Sequence, residues 1–301
     1  MRTAFCLVVY CALGLVPASS AQELPISGLA HVGFRVSDIE KARQFYTGVL
    51  GYQEAFHLND DQGALWLSWF KINEDQYIEI FPGLPEGEDV RLTHVAMQTP
   101  DIEKLRRMLV ERGIDAPPVQ KGRDGNRNFS IQDPDGNRLE FVEYMPGSLH
   151  SNARGKFIDS RRISTHMWHA GVLVADLERA MPFYRDKLGF VETWRGGPAD
   201  GPLSWVNMRM PGARGDYVEF MLYSTPPTRQ RLGSMHHICL QVPDIQAAKK
   251  TANERGIPAD EQRYQPRVGR NGRWQLNLFD PDGSRTELME PIPAQRPTGV
   301  N

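Results

Sequence analysis

Apolar and polar residues follow two different periods along this chain, and the two periods recur in the same order four times. Short stretches rich in Val, Ile, Phe, Tyr and Trp, separated by Gly, Asp, Asn and Pro, predict β-strands. Between them, apolar residues at three- and four-residue spacing predict helices, each preceded by a capping aspartate and closed by a glycine. The aspartates are Asp38, Asp101, Asp176 and Asp244, and the glycines are Gly51, Gly113, Gly189 and Gly256.

Each repeating unit is predicted to be a βαβββ module of roughly 55 to 60 residues. The first and third modules carry Phe-Tyr in the helix, whereas the second and fourth carry Glu-Arg-Gly-Ile and then Asp-Pro-Asp-Gly. This A-B-A-B order predicts an α+β protein of two domains. The predicted boundaries are 22–146 for the first domain, 147–163 for a polar linker, 164–292 for the second domain and 293–301 for a tail.

Every module also offers one histidine near the start of its first strand and one glutamate near the end of its last strand. The pairs are His31 and Glu79, His94 and Glu140, His169 and Glu219, and His237 and Glu287. Two imidazoles and two carboxylates form a mixed nitrogen and oxygen set that suits Zn²⁺, Ni²⁺, Co²⁺, Mn²⁺ or Fe²⁺. Pairing module 1 with 2 and 3 with 4 gives two complete sets, and so does pairing 1 with 4 and 2 with 3. The longer joint at 147–163 favours the first arrangement.

Alternate residues of a strand face the same side, so the side chain four residues after each histidine shares its face. Arg35, Gln98 and Gln241 stand at these positions and are predicted to contact substrate. Cys239, two residues after the fourth histidine, is a candidate soft neighbour of that site. The loops 121–128 and 268–274 hold Arg127 and Arg273, which could bind a carboxylate or phosphate at the mouth of the site.

The first 21 residues have the features of a signal peptide: one arginine, an apolar stretch of 13 residues and a small-residue cleavage site at Ser19-Ser20-Ala21. We therefore expect an exported, periplasmic or secreted protein without a membrane anchor. Two of the three cysteines would leave with this segment, so Cys239 has no internal disulfide partner. Removing Arg2 changes the formal charge from −2 to −3, which argues against general nucleic-acid binding. The expected partners are a small, anionic substrate and a second copy of the chain in a homodimer.

The motifs DIEKARQFYTGVLGY and DPDGNRLEF resemble those of the vicinal oxygen chelate superfamily, and the likeness covers residues 28–292. This superfamily includes glyoxalase I, methylmalonyl-CoA epimerase, bleomycin-binding proteins and type I extradiol dioxygenases. The resemblance implies two cupped eight-stranded sheets with helices outside and a metal ion inside each cup. By matching motif, His31, Glu79, His94 and Glu140 would form one metal site, and His169, Glu219, His237 and Glu287 the other.

Within that superfamily we expect a metal-dependent lyase or isomerase acting on a small α-oxygenated carbonyl compound. The resemblance implies that Glu79, Glu140, Glu219 and Glu287 are catalytic as well as ligating, because a glutamate released from the metal can carry a proton. An Fe(II) extradiol dioxygenase is one alternative, although such enzymes lack a ligand at the positions of Glu79 and Glu219. A binding or resistance protein without catalysis is the other. Glyoxalase I itself is disfavoured by Gly83, where that enzyme has an asparagine for glutathione.

Overall fold

Two eight-stranded sheets make up the computed structural model of the chain, which describes residues 22–88 and 90–294. The predicted signal peptide at 1–21 and the end of the predicted tail lie outside the described residues. The predicted linker contains a short helix, α3 (Leu149–Asn152). None of the described helices is both long and apolar enough to cross a membrane.

The first sheet is built from modules 1 and 2 in the strand order β2-β3-β4-β1-β5-β8-β7-β6. Its strands are β1 (Gly28–Val36), β2 (Gln53–Asn59), β3 (Leu65–Lys71), β4 (Tyr77–Pro82), β5 (Leu92–Gln98), β6 (Gln120–Lys121), β7 (Arg127–Gln132) and β8 (Arg138–Glu143). Strand β1 pairs in parallel with β4 and antiparallel with β5, so the two modules join through their first strands.

The second sheet repeats this topology with modules 3 and 4, in the order β10-β11-β12-β9-β13-β16-β15-β14. Its strands are β9 (Met167–Val174), β10 (Val191–Gly196), β11 (Trp205–Arg209), β12 (Tyr217–Leu222), β13 (His237–Gln241), β14 (Arg267–Val268), β15 (Arg273–Phe279) and β16 (Arg285–Pro293). The predicted fold class is therefore confirmed, and the modules pair as 1 with 2 and 3 with 4.

In each of the four modules, one main helix follows the first strand, and the predicted aspartate caps it. Asp38 and Asp176 each accept hydrogen bonds from two backbone amides, as does Asp244, while Asp101 accepts one. The helices are α1 (Ile39–Arg43), α2 (Ile102–Glu111), α4 (Leu177–Met181) and α6 (Ile245–Glu254), with α5 (Arg229–Met235) lying before β13. In the odd modules α1 and α4 continue as π-helical turns, Gln44–Val49 and Pro182–Lys187.

The Phe-Tyr and Asp-Pro-Asp-Gly signatures meet at the interface between the two domains. The hydroxyl of Tyr46 donates to Asp280 Oδ2 at 3.3 Å, and the hydroxyl of Tyr184 donates to Asp133 Oδ2 at 2.9 Å. Each odd module thus contacts the even module of the other domain, and one apolar core continues across both. The two kinds of module differ because each supplies one half of this interface.

Alternation along the strands separates this core from the functional face. In β1, Val32, Phe34 and Val36 are buried in the core cluster with residues of the helices. His31 and Gly33 face the opposite side, which is the concave face of the sheet. The same alternation in the other first and last strands places every predicted metal ligand inside a cup.

Candidate metal centres

The pairing register brings the ligands together in two adjacent rows across each sheet. In the first sheet, Glu79 and His94 both lie opposite Gly33. In the second sheet, Glu219 and His237 both lie opposite Gly171. The neighbouring rows are His31-Ala96-Glu140 and His169-Cys239-Glu287. In each row, one small residue therefore separates two ligands, and the longer side chains of the ligands can meet above it.

Glycine is required at the centre of one row in each sheet. A Cβ built on Gly33 would lie 2.7 Å from Cε1 of His94, and one built on Gly171 would overlap the imidazole of His237. Side chains do not tolerate contacts this short, so a larger residue at either glycine would displace the histidine beside it. The small residue predicted beside the ligands thus makes space for the imidazole of the paired module.

In the first centre, the Nε2 atoms of His31 and His94 lie 3.0 Å apart. Glu79 approaches them at 3.2 and 3.3 Å, and Glu140 lies 3.8 Å from each. The ligand atoms of His31, His94 and Glu140 lie within 4.8 Å of one another. Glu79 is closer to both histidines than Glu140 is, and its Oε1 also accepts a hydrogen bond of 2.6 Å from the indole of Trp69. The first centre therefore offers four candidate ligands, one of which is also bonded to a tryptophan.

In the second centre all four predicted ligands converge, with every ligand atom within 4.8 Å of the others. The Nε2 atoms of His169 and His237 are 3.0 Å apart. Glu219 lies 3.3 Å from His237 and 3.8 Å from His169, while Glu287 lies 3.4 Å from His169 and 3.7 Å from His237. Asn207, not a tryptophan, lies opposite Glu219 in the sheet.

The protonation states of His237 and Glu287 in the second centre suit metal binding. Burial lowers the pKa of His237 well below its ordinary value, so the ring is neutral. Its Nδ1 lies 2.7 Å from the carbonyl of Met235, and a proton donated there leaves the lone pair on Nε2 facing the cup. Burial works against the charged form of Glu287, but Arg285 and His169 lower the pKa of this carboxyl.

The two carboxyl groups of the first centre have pKa values shifted in opposite directions. Burial raises the pKa of Glu140 to about 7, whereas the adjacent histidines outweigh burial and lower the pKa of Glu79 to about 2. Burial also lowers the pKa of His31 to about 3. A divalent ion would add to the positive charge of Arg138, which lies 3.5 Å from Glu140, and would favour the charged carboxylate. Such buried carboxylates are usually paired or coordinate metals.

The spacing of the imidazoles also fits a bound ion. Two nitrogens that bind one ion at right angles, each at about 2.1 Å, lie about 3.0 Å apart. That is the Nε2–Nε2 distance in both centres. Cys239 is fully buried between His169 and Glu287 in the pairing register, and burial raises the pKa of its thiol well above the ordinary value. We therefore regard Cys239 as a neutral neighbour of the second centre.

A cavity opens above each centre, and the second is the larger. The cavity in the second cup has a volume of about 370 Å³, against about 170 Å³ in the first. Glu219 and Glu287 line the former, with Trp194 and Trp205 on its walls. Both cavities are large enough for small molecules but not for macromolecular ligands.

The predicted substrate residues have different surroundings. Arg35 and Gln241 are half-buried and line neither cavity, and Gln98 accepts a hydrogen bond of 3.0 Å from Arg214. The guanidinium of Arg273 lies 5.2 Å from the ring centre of Trp168, beside a neighbouring cavity of about 310 Å³. Roles in substrate binding stay predictions for these four residues.

Arg127, predicted to bind an anion at the mouth of the site, lies among acidic side chains in the structure. Its guanidinium pairs with Glu103 of α2 and lies 3.7 Å from Glu143. Arg127 shares a strand face with the buried Phe129 and Ile131, and this face packs towards the helices. The cup face of β7 carries Asn128 instead, which lines the first cavity.

Two cup arginines were missed from the sequence. Arg138 and Arg285 each precede a glutamate ligand by two residues and so share its face, and each lines the cavity of its own cup. The alternation rule that selected Arg35 would have found them if it had been applied backwards from the glutamates.

Comparison with known families identifies the class of protein. Residues 28–141 and 166–288 match the Glyoxalase/Bleomycin resistance protein/Dioxygenase superfamily. The chain belongs to this superfamily, as its motifs predicted. The match covers both sheets and all eight candidate ligands.

Two curated relatives have different activities. The chain is 28% identical to a catechol-2,3-dioxygenase of Bacillus subtilis over 191 residues, which are 53% of this chain and 65% of that enzyme. It is 30% identical to an ethylmalonyl-CoA/methylmalonyl-CoA epimerase of Cereibacter sphaeroides over 134 residues, which are 40% of this chain and 95% of that enzyme. The match thus spans just under two thirds of the dioxygenase's length.

Similar solved structures are extradiol-type enzymes. A homoprotocatechuate 2,3-dioxygenase variant from Brevibacterium fuscum superposes with a TM-score of 0.65 at 22% identity, covering 91% of this chain and 74% of that chain. A 2,3-dioxygenase from Pseudomonas sp. KL28 gives a TM-score of 0.68 at 16% identity, covering 93% and 97%. At these identities the likeness establishes the two-domain fold.

Proposed function

We propose that this protein is an exported, divalent-metal-dependent lyase or isomerase that acts on a small α-oxygenated carbonyl compound in its second cup. The observation that carries the proposal is the convergence of His169, His237, Glu219 and Glu287 below a cavity of about 370 Å³. A bound ion there supplies Lewis-acid polarisation of a carbonyl oxygen. The epimerase relative supports chemistry of this type.

The side chains of the second cup would have different roles in metal binding, proton transfer and the exclusion of water. His169 and His237 are fully buried and would hold the ion from below. Glu287 is next to the Arg285 guanidinium, which favours its charged form. Glu219 lines the cavity and is the residue that would accept and return a proton at the carbon beside the carbonyl. The two tryptophans of the wall would limit the access of water.

A test of this proposal follows proton exchange rather than a complete reaction. Metal-loaded protein is incubated in deuterium oxide with a panel of small α-hydroxy and α-oxo carbonyl compounds, and exchange is followed by nuclear magnetic resonance. We expect exchange that Glu219→Gln abolishes and the matched Glu79→Gln retains. Metal binding with retained ligand affinity but no exchange in the wild type would instead support the alternative of a binding protein.

Fe(II) extradiol-type dioxygenase chemistry is the second candidate. The grouping of His31, His94 and Glu140 supports it, since two histidines and one carboxylate are the ligand set of many non-haem iron oxygenases. The dioxygenase relative supports it as well. Oxygen uptake by the iron-loaded protein with a panel of catechols would favour this candidate, and His94→Ala should then abolish the uptake.

Export is a separate part of the proposal. It is supported by the n-region, apolar stretch and small-residue site within residues 1–21. Sequencing the N-terminus of the protein recovered from a periplasmic or extracellular fraction should show that it begins at Gln22. A cytosolic protein that retains Met1 would contradict export but not the metal chemistry.

A further inference from the structure

One buried arginine stands beside the second centre without a strong partner. Arg285 has only 10% of its side chain exposed and lines the cavity of the second cup. Its Nη1 lies 3.5 Å from Asn277 Oδ1 and 3.9 Å from Glu287 Oε1, and its Nε has no hydrogen-bond partner among residues 22–88 and 90–294. A guanidinium has five N–H donors, so most of the hydrogen-bonding capacity of Arg285 is unused.

The equivalent arginine of the first cup is arranged differently. Arg138 has 52% of its side chain exposed, and its Nε donates to Ser130 Oγ at 3.0 Å. Exposed guanidinium groups are hydrated and cost little, whereas a buried one is expensive unless an anion pairs with it. The repeat thus supplies a matched pair of arginines, of which only that of the second cup is both buried and weakly bonded.

The charges around the two cavities also make the second cup the better place for an anion. Three arginines line the second cavity together with two carboxylates, both of them candidate metal ligands: Arg267, Arg270, Arg285, Glu219 and Glu287. Two arginines line the first cavity together with three carboxylates: Arg123, Arg138, Glu79, Asp124 and Glu140. With a divalent ion in each, the second cup is more positive than the first by two formal charges. The second cup is therefore the better site for an anion.

We propose that Arg285 binds a carboxylate of the substrate beside the metal centre, so that the second cup selects α-oxygenated carbonyl compounds that carry an additional carboxylate. This inference rests on the proposed function for the location of the reacting oxygens. The carboxylate would receive two parallel hydrogen bonds from the guanidinium fork, and Arg267 and Arg270 at the rim would attract the anion. The bound carboxylate thus supplies the partner that the buried guanidinium lacks.

Two metal-chelating probes that differ by one carboxylate test the proposal. Acetohydroxamate offers only two vicinal oxygens, and succinomonohydroxamate adds a carboxylate to the same chelating group. Their affinities are measured by isothermal titration calorimetry on protein reconstituted with Co²⁺, for the wild type, Arg285→Gln, Arg285→Lys and the first-cup control Arg138→Gln. Because charge-assisted hydrogen bonds contribute about 1.5–3 kcal/mol, we expect the wild type to prefer the carboxylate probe roughly tenfold or more.

Arg285→Gln should bring the affinities for the two probes to the same level, Arg285→Lys should retain part of the preference, and Arg138→Gln should retain all of it. An equal affinity of the wild type for the two probes, an unchanged preference in Arg285→Gln, or a loss in Arg138→Gln alone would overturn the proposal. Bound cobalt and thermal unfolding of the same samples show that each variant is folded and loaded. Deuterium exchange reports on the proposed function separately, so either idea can fail without the other.

Discussion

The two metal centres are built on the same strand register, yet their ligands converge to different degrees. In the second centre, four ligand atoms lie within 4.8 Å of one another. In the first centre His31, His94 and Glu140 do, while Glu79 lies 3.2 and 3.3 Å from the two histidines. The residues beside the ligands differ as well. Trp69 lies opposite Glu79 and bonds to it, while Asn207 lies opposite Glu219.

This comparison teaches that backbone register and flanking side chains control different properties of such a site. The register fixes which four residues meet, because each ligand lies opposite a small residue in the neighbouring strand. The flanking positions decide how many of them are available to an ion and which charge surrounds it. Thus one repeated scaffold can carry two centres with different chemistry.

The largest expected effect comes from filling the glycine at the middle of the second centre. Gly171→Ala places a Cβ where the ring of His237 lies, so this ligand is displaced. Four protein ligands share roughly 10–16 kcal/mol of apparent metal binding, so losing one should weaken the second centre about a hundredfold. Metal titration monitored by calorimetry measures the change.

Gly48→Ala is the matched control, because no atom lies within 4 Å of its Cβ position and the residue is helical. It should leave both metal affinities unchanged. Equal metal binding by Gly171→Ala and Gly48→Ala would show that His237 is not a ligand.

Neutralising the odd-module glutamates should affect the two centres unequally. Glu219→Gln removes the charge of one of four converging ligands, and we expect a loss of metal affinity of roughly tenfold to a hundredfold at the second centre. Glu79→Gln should weaken the first centre by roughly tenfold or less, because Glu79 Oε1 already accepts a hydrogen bond from Trp69 that competes with an ion. Similar losses in both variants, measured by competition with a chromogenic chelator, would remove the distinction between the centres.

Removing the tryptophan donor should make the stability of the protein depend more strongly on an ion bound in the first centre. Trp69→Phe leaves a buried carboxylate oxygen of Glu79 without its hydrogen bond, so the metal-free protein should lose about 1–3 kcal/mol of stability. Saturating metal should restore part of this loss, as shown by thermal unfolding with and without the ion. Trp66→Phe, at an exposed position of the same strand, should change little. Equal effects of the two substitutions would mean that the Trp69–Glu79 bond is unimportant.

The smallest effect is expected from replacing the thiol of the second centre by the residue present in the first. Cys239→Ala mimics Ala96, the equivalent residue of the first sheet, and should cost about 1 kcal/mol of stability with metal affinity changed by less than about threefold. In the native wild type, the buried thiol should not react with a thiol reagent, because burial raises its pKa. A large loss of metal from Cys239→Ala would make the thiol a ligand.

The fold and the candidate ligands were predictable because repetition supplies four copies of each observation. His31 and Glu79 alone are two polar residues on apolar strands, but their recurrence at equivalent positions marks one concave face. The capping aspartates follow from local chemistry alone and are confirmed. The side of the strand on which Arg127 lies follows from its alternation with the buried Phe129 and Ile131, a signal that its loop alone does not carry.

Other features depend on contacts between distant segments, which a single sequence does not contain. The bond from Trp69 to Glu79 needs the register of β3 against β4, and the bond from Tyr46 to Asp280 needs the packing of one domain on the other. The π-helical turns of the odd modules carry Tyr46 and Tyr184, which both bond across the interface, and these turns have no signal in the apolar pattern of the sequence.

Metal content per chain tests the central claim, that each domain holds one divalent ion, most directly. The protein is purified anaerobically without chelator and analysed by mass spectrometry of its metals, together with His94→Ala and His237→Ala. We predict two equivalents in the wild type and one in each variant, with the remaining ion in the unaltered domain. A wild type that holds no metal after reconstitution, or variants that keep both equivalents, would contradict the account.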